Sequence, residues 1–555
     1  MISIKNTEGD IVTTAEEINK VWTDYFQELL NIEVQEEEVE PQEEEGNIEG
    51  EGPITMTELE EAIKKMKSGK TAGCDGIVIE LIKEGGELLK RKILKILNVI
   101  WTKGEIPEEW GKMLIIPIFK GKGDKSNCQN YRGISLINHI TKLYERILEK
   151  RARSIIEEKL GKEQYGFRKN RGTTDLIFAL RIVIEKSWEF NKAAYIAFID
   201  LQKAFDSVPR EKVWKCLERR YNIKGKLKKA IMSLYKPCLS SVRTGYENDT
   251  WFSIDSGVKQ GSVISPLLFI AYMDEVTARF NEGFTQRGEG DVMIYADDIA
   301  VWSENKQGVV EALERWDTVL TEAGLKMNVT KTEIMKVSRN QEEEEVIVEI
   351  RGNRIKNVSE VKYLGSVFSS HGNNKEEIND RIVQCTKATG ALYPLPKDQH
   401  VPLKAKKVIF ESIITPTLMY GSETWTMNKK ERSKIQASEM RVLRTIVGKT
   451  RKDRIRNEKI REEVGVVPVL RKIDAAQLRW LGHLERMEDD RVAKRRWNWT
   501  PQGTRPRGRP RKRWKDTVKE TLERYNMPKL EDLTRQQTLQ NRPEWKKRLA
   551  RLTEI

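Results

Sequence analysis

Three observations predict an α+β fold. Helical and extended apolar patterns alternate from about residue 110 to Lys336. Within that stretch, Ala194–Leu201 reads as a strand and Asp291–Ser303 as a hairpin, which side by side would make an antiparallel sheet. Beyond an acidic patch at Glu342–Glu345, strands give way to helical patterns through to about Met487.

Size and composition set the frame. At 555 residues the chain exceeds a single core and is expected to hold two to four domains. A hydrophobic content of 38% suffices for packed domains, and 33% charged residues imply extensive solvated helical surface. The net charge of +14 favours a polyanionic partner, nucleic acid first among them. The five cysteines are scattered without C-x-x-C spacing, which argues against a disulfide framework or a Cys-rich zinc site and suits a reducing compartment. The first residues lack an apolar signal-peptide core, and no stretch approaches 18 apolar residues, so no membrane span is expected.

Taken in order, the first 32 residues carry one amphipathic helix with Val21, Trp22, Tyr25, Phe26, Leu29 and Leu30 at helical spacing. Glu33 to Gly52 is a glutamate-rich, solvated linker. Thr57 followed by Glu60 predicts a capping box for a helix over Thr57–Lys67. Lys70 to Gly76 is a turn, and Leu88–Trp101 a helix ended near Gly104 and Pro107. Met113–Phe119 reads as a strand, placed at an edge because of Pro117. After the strand ending at Leu201, a helix start is marked by Asp206, Ser207 and Pro209. The tail from Arg491 to Arg513 carries ten Lys/Arg and no acid, interleaved with Trp497 and Trp499.

Two acidic sites stand out. Asp200 ends the apolar strand, and Asp297-Asp298 sits between the two apolar runs of the hairpin. Taken singly, Asp200 reads as a loop or helix-capping residue, and the Asp pair at a hairpin tip as a solvated turn. Together they offer carboxylate oxygens suited to a pair of Mg²⁺ ions, the set that phosphoryl transfer uses.

These residues resemble the metal-binding motifs of reverse transcriptases: Phe198-Ile-Asp-Leu-Gln-Lys-Ala-Phe-Asp-Ser-Val-Pro209 and Tyr295-Ala-Asp-Asp298. Between them, Gly257-Val-Lys-Gln-Gly-Ser-Val-Ile-Ser-Pro-Leu-Leu-Phe269 looks like the family's Gln-Gly motif near the nascent base pair. The three motifs stand in family order at plausible spacing, and Lys70-Thr-Ala-Gly-Cys-Asp-Gly76 is similar to the segment preceding the fingers in the non-LTR retrotransposon enzymes.

The resemblance implies a right-hand polymerase: fingers, a palm with an antiparallel sheet, a thumb, and a helical, basic C-terminal region. It divides the chain into an N-terminal helix and linker (1–52), a helical extension (53–109), fingers and palm (110–340), primer-grip hairpin and thumb (341–450), and a C-terminal region (451–555). It implies Asp200, Asp297 and Asp298 as ligands of two Mg²⁺ ions, with Mn²⁺ a substitute. Lys331, in Gly324-Leu-Lys-Met-Asn-Val-Thr-Lys-Thr332, matches a proton donor to pyrophosphate, though a solvated loop lysine fits equally.

Lys120 and Arg132 match triphosphate-holding fingers residues, their plainer reading being solvated cations. Gln260 and Gly261 match the Gln-Gly pair. Phe205 matches the position that excludes a ribose 2′-hydroxyl, core packing being the alternative. Gln164-Tyr-Gly-Phe-Arg168 with Thr173-Thr-Asp175 resembles a template-contacting segment, and Tyr363-Leu364-Gly365 the primer-grip hairpin. In the tail, Arg507-Gly508-Arg509-Pro510 is like an AT-hook core, with a nuclear-import signal or nonspecific phosphate-binding tail as the blander reading.

The implied partners are an RNA template, a DNA primer or target, and deoxynucleotides, in a ribonucleoprotein of nucleus and cytoplasm. His483 has no nearby Cys partners, so no zinc is expected, and the 109 residues before the fingers are too few for a target-nicking nuclease. Two competitors remain: a decayed or domesticated copy that binds nucleic acid without polymerising, and an architectural DNA-binding protein acting through a tail separable from the core.

Overall fold

Short local signals set the helix ends. The helix Ala15–Leu30 starts at Thr14, which accepts the Glu17 N–H, and buries Ile18, Trp22, Phe26 and Leu29. The helix expected from Thr57 begins earlier: Thr55 caps Met56–Lys65 and Glu58 completes the capping box. Thr55–Glu58 and Thr57–Glu60 share one spacing, and tertiary contact decides between them. Asn98 accepts the Ile54 N–H at 2.7 Å and donates to its carbonyl at 2.9 Å, fixing the chain just ahead of Thr55. The helix Gly86–Lys103 stops at Gly104, which adopts φ 71°.

The structure, a computed structural model, describes residues 3–31, 52–236, 238–246, 250–282, 290–339, 345–508 and 511–554. Most of the expected acidic linker, and most of the acidic patch at 342–345, lie outside them. The chain forms two compact units: Met1–Lys169, Leu201–Thr285 and Glu314–Asn328 make the first, and Asn170–Asp200, Gln286–Leu313 and Val329–Ile555 the second.

The first unit contains a four-stranded sheet in the order Tyr131–Leu136, Lys112–Phe119, Leu239–Val242, Phe252–Ser253. Lys112–Phe119 is therefore an interior strand and not the edge strand expected from Pro117. It is antiparallel to Tyr131–Leu136 and pairs in parallel with Leu239–Val242 only over Lys112–Ile115. The Arg243 N–H donates to the Ile115 carbonyl at 2.9 Å. Pro117, two residues on, turns its missing N–H to that same side, which the neighbouring strand has already left. Trp22, Phe26, Met113, Ile115 and Val242 share one core. Pro209 is the N-cap of Arg210–Arg219, whereas Ala204–Ser207 is a separate helical turn, so Asp206 does not start the longer helix.

The second unit contains a five-stranded sheet in the order Lys356–Asn357, Glu333–Val337, Ala194–Ile199, Asp298–Ser303, Gly290–Tyr295. All six residues of Ala194–Ile199 are buried, which is why the segment is a continuous apolar run instead of an alternating one. It runs antiparallel to both neighbours.

Strands do not end at the acidic patch. Glu349–Ile350 pairs with Asn353–Arg354, and Glu360–Tyr363 with Ser366–Ser369, before helices take over at Lys375. The last helices, Val469–Glu485, Trp514–Arg524, Leu530–Arg535 and Arg542–Thr553, bury Leu478, Leu481, Trp514, Leu533 and Trp545 in a core shared with Phe178 and Ile182. All five cysteines are free thiols. Among the described residues no helix is long and apolar enough to cross a membrane.

Candidate active site

The hairpin Gly290–Tyr295/Asp298–Ser303 turns through Ala296 and Asp297, with Tyr295 opposite Asp298. Ala296 adopts φ 58°, the positive value that two-residue hairpin loops require at their first position and that a side chain resists. In the adjoining ladder Ile199 pairs with Ile299, so continuing the register one step sets Asp200 across from Asp298. Residues 98 apart in sequence thus meet at one end of the sheet.

The electrostatics agree with that placement. The Asp298 carboxyl is pushed up to about 6, first by the protein crowding around it and then by the negative charges of Asp297 and Asp200. The Asp298 side chain keeps an opening to solvent, with the like charges of Asp297 and Asp200 beside it. Lys331 Nζ lies 3.6 Å from Asp200 Oδ2, both groups substantially exposed. The Asp200 N–H donates to Thr332 Oγ1 at 3.4 Å. Among the described residues no three His, Cys, Asp or Glu side chains converge closely enough to hold an ion as they stand. Three carboxylates at one sheet end, two of them raising the proton affinity of Asp298, still form an oxygen donor set that a divalent cation would relieve.

The substrate-binding candidates Lys120, Arg132, Phe205, Gln260 and Gly261 lie in the first unit. Phe205 stacks on buried Phe269, centroids 4.2 Å apart at 12°, with one edge toward Phe167 at 6.4 Å. It remains partly exposed, so it is both a packing residue and a surface-facing ring. Gln260 Nε2 donates to Asp206 Oδ1 at 3.1 Å, and its carbonyl accepts from the Ser135 N–H at 2.7 Å. Gly261 has φ 124°, and a Cβ there would sit 2.4 Å from the Ser135 carbonyl oxygen, so this position admits only glycine.

Asp206 was not singled out as a site residue from sequence. Burial first pushes its carboxyl up to about 6, while the Gln260 bond and the charges of Lys203 and Lys120 oppose the shift. Its signal was the second acid of the Phe198–Pro209 motif. Lys120 is exposed, with Nζ bonded to the Gln129 carbonyl at 2.7 Å, and Arg132 is exposed on the neighbouring strand opposite Ile118.

Tyr363–Ser366 closes a hairpin through Leu364 (φ 48°) and Gly365 (φ 76°), the double positive φ of a type I′ turn. Tyr420 Oη donates to the Leu364 carbonyl and Arg381 to that of Gly365, each at 2.7 Å.

Two members of the expected template-contacting segment are spent internally. Asp175 is buried against Arg491 at 2.5 Å, and Arg168 pairs with Glu157 at 2.8 Å. The tail differs from a free basic arm as well. Arg505 and Arg513 both reach Glu189, at 2.7 and 3.2 Å. Arg507 and Gly508 are exposed, while Arg509 and Pro510 lie outside the described residues.

Comparison with known proteins follows the same residues. Positions 120–368 match the family "Reverse transcriptase (RNA-dependent DNA polymerase)". The chain is 26% identical over 420 residues to the Drosophila melanogaster "Probable RNA-directed DNA polymerase from transposon BS", covering 71% of this chain and 44% of that one. It is 27% identical over 341 residues to the Pol polyprotein of a type-1 retrotransposable element R2 of Nasonia vitripennis, covering 59% and 32%. It is 26% identical over 422 residues to the RNA-directed DNA polymerase from mobile element jockey of Drosophila funebris, covering 71% and 44%. The chain spans less than half the length of these relatives.

Proposed function

We propose, for a chain whose residues 120–368 form a reverse transcriptase domain related to those of non-LTR retrotransposons, that it is an RNA-directed DNA polymerase adding deoxynucleotides to a primer 3′-end. The observation that carries this reading is the register that sets Asp200 opposite Asp298 beside the Asp297 turn, inside the matched segment.

In this reading Asp200, Asp297 and Asp298 hold two Mg²⁺ ions, for which Mn²⁺ substitutes. When bound, the ions lower the cost of charge on the primer hydroxyl and the triphosphate. The chain's own part is positioning and electrostatics. Asp200 and the Asp297-Asp298 tip fix the donor oxygens. Lys331, beside Asp200, donates the proton to the departing pyrophosphate. Lys120 and Arg132 hold triphosphate oxygens, and the Phe205 ring leaves no room for a 2′-hydroxyl. Gln260 and Gly261 line the nascent pair, with Asp206 orienting the Gln260 amide. Leu364-Gly365, tied by Tyr420 and Arg381, supports the primer. The parts correspond to fingers, palm and thumb of a right-hand polymerase, working on an RNA template in a ribonucleoprotein of nucleus and cytoplasm.

Primer extension on a defined RNA template with Mg²⁺ tests the proposal. Asp297→Ala is expected to lower the rate by about a thousandfold, the scale on which transition-state charge stabilisation is lost. Equal rates for the variant and the parent chain would refute the site.

A further inference from the structure

The basic segment after Arg491, read from sequence as a separable nucleic-acid tail, makes its most buried contacts with the hairpin that carries Asp297 and Asp298. Asp291 begins that hairpin and faces Trp302 across it. Its carboxylate is nearly fully buried and accepts from Trp302 Nε1 at 3.3 Å. Arg495 Nη2 reaches its Oδ1 at 2.6 Å and Arg496 Nε its Oδ2 at 2.6 Å. The Arg496 guanidinium also lies over the rings of Trp302 (5.0 Å) and Trp499 (5.4 Å), which themselves pack edge to face at 5.2 Å. A planar cation held by a carboxylate and two indoles is fixed far more firmly than a surface ion pair.

The short helix bearing these arginines, Val492–Asn498, is itself anchored at both ends. Ahead of it, Arg491 pairs with buried Asp175. At its last turn and C-cap, Lys186 donates to the carbonyls of Arg496 (3.1 Å), Trp497 (2.8 Å) and Trp499. Asp175 and Lys186 both belong to the helix Thr173–Phe190, which shares a core with the C-terminal helices.

The strand Gly290–Tyr295 is the outermost of its sheet among the described residues and has one strand neighbour. The arginine helix grips this outermost strand through Asp291, on the face that Asp291 shares with Trp302. From Asp291 to Asp297 the hairpin extends about 20 Å at roughly 3.4 Å per residue. A rotation of about 3° at Asp291 therefore moves the tip about 1 Å, a displacement on the order of what costs 10²-fold in a positioned reaction.

We infer that Arg495 and Arg496 are positioning residues of the polymerase: by gripping Asp291 they hold the Asp297-Asp298 tip in register with Asp200, so residues 491–499 belong to the catalytic unit. This rests on the active-site reading above.

The experiment uses the full chain with Arg496→Met, Arg495→Met and, as control, Arg548→Gln, whose side chain pairs with Glu544 on the last helix. Single-turnover extension, primer–template affinity and amide exchange over residues 291–302 are measured together. Arg496→Met is expected to slow extension at least tenfold, leave the affinity for primer–template within twofold, and speed exchange along the hairpin; Arg548→Gln is expected to change none of these. Arg495 is partly exposed, so Arg495→Met reads the same contact where Arg496→Met does not fold. Wild-type rates in a folded variant, a loss no larger than the unfolded fraction, or a loss expressed only as weaker primer–template binding would each overturn the inference. If Asp297→Ala also extends primers normally, the site reading fails with it; an inactive Asp297→Ala beside an unaffected Arg496→Met overturns this inference alone.

Discussion

Two charged regions of the second unit are built on opposite principles. At the hairpin tip, Asp200, Asp297 and Asp298 are brought together as like charges, and one exposed lysine stands 3.6 Å away. In the C-terminal region, Arg491, Arg495, Arg496, Arg505 and Arg513 each meet a carboxylate: Asp175, Asp291 for two of them, and Glu189 for the other two. The tip is frustrated and the tail is matched. Crowded charge of one sign at a sheet end marks a place where a ligand is wanted, whereas charge matched pair by pair marks a joint.

The contrast is broken most forcefully at Asp291. Replacing Asp291 with Ala leaves the Arg496 guanidinium buried between two indoles without its carboxylate, and is expected to cost about 3–5 kcal/mol in urea unfolding. A loss below about 1 kcal/mol would make the joint ornamental.

The next effect comes from Glu185, which accepts the Trp514 N–H at 2.7 Å where the tail meets the helix Thr173–Phe190. Burial, opposed by that bond, pushes its carboxyl up to about 8. Because the folded form binds the proton more tightly, this contribution is complete below about pH 4.5 and is lost as the pH rises through about 8. Glu185→Gln, neutral throughout and still able to accept the bond, should match the parent near pH 5 and exceed its stability by about 4 kcal/mol near pH 9. Parallel pH–stability curves would contradict the assignment. Least of all, Arg507→Gln should shift stability by less than about 0.5 kcal/mol, since that side chain is exposed; thermal melts check it.

What could be read from sequence, and what could not, follows the range of the forces involved. The strand Ala194–Ile199 and the hairpin were legible because a run of buried apolar residues and an Asp-Asp turn are local signals. The choice between Thr55 and Thr57 as cap was not, since both have Glu at the third position and contacts from more than 40 residues on, Asn98 with Ile54 and Arg151 with Glu58, select one. Pro117 misled for a related reason: a proline forbids one rung of a ladder, and whether the strand is at an edge depends on where its neighbour stops. The tail misled most. Its partners Asp175, Glu189 and Asp291 lie 200 to more than 300 residues away, so the composition of Arg491–Arg513 shows an unopposed basic run where the fold contains pairs.

The two principles separate cleanly at Asp298, because relief of frustration and loss of function carry opposite signs there. Asp298→Asn removes one of three crowded charges while keeping the side-chain shape. The thermal midpoint should hold or rise by a few degrees, while primer extension on an RNA template falls by at least a hundredfold. A variant that melts well below the parent, or one that extends primers at the parental rate, would contradict the claim that the tip is strained for chemistry.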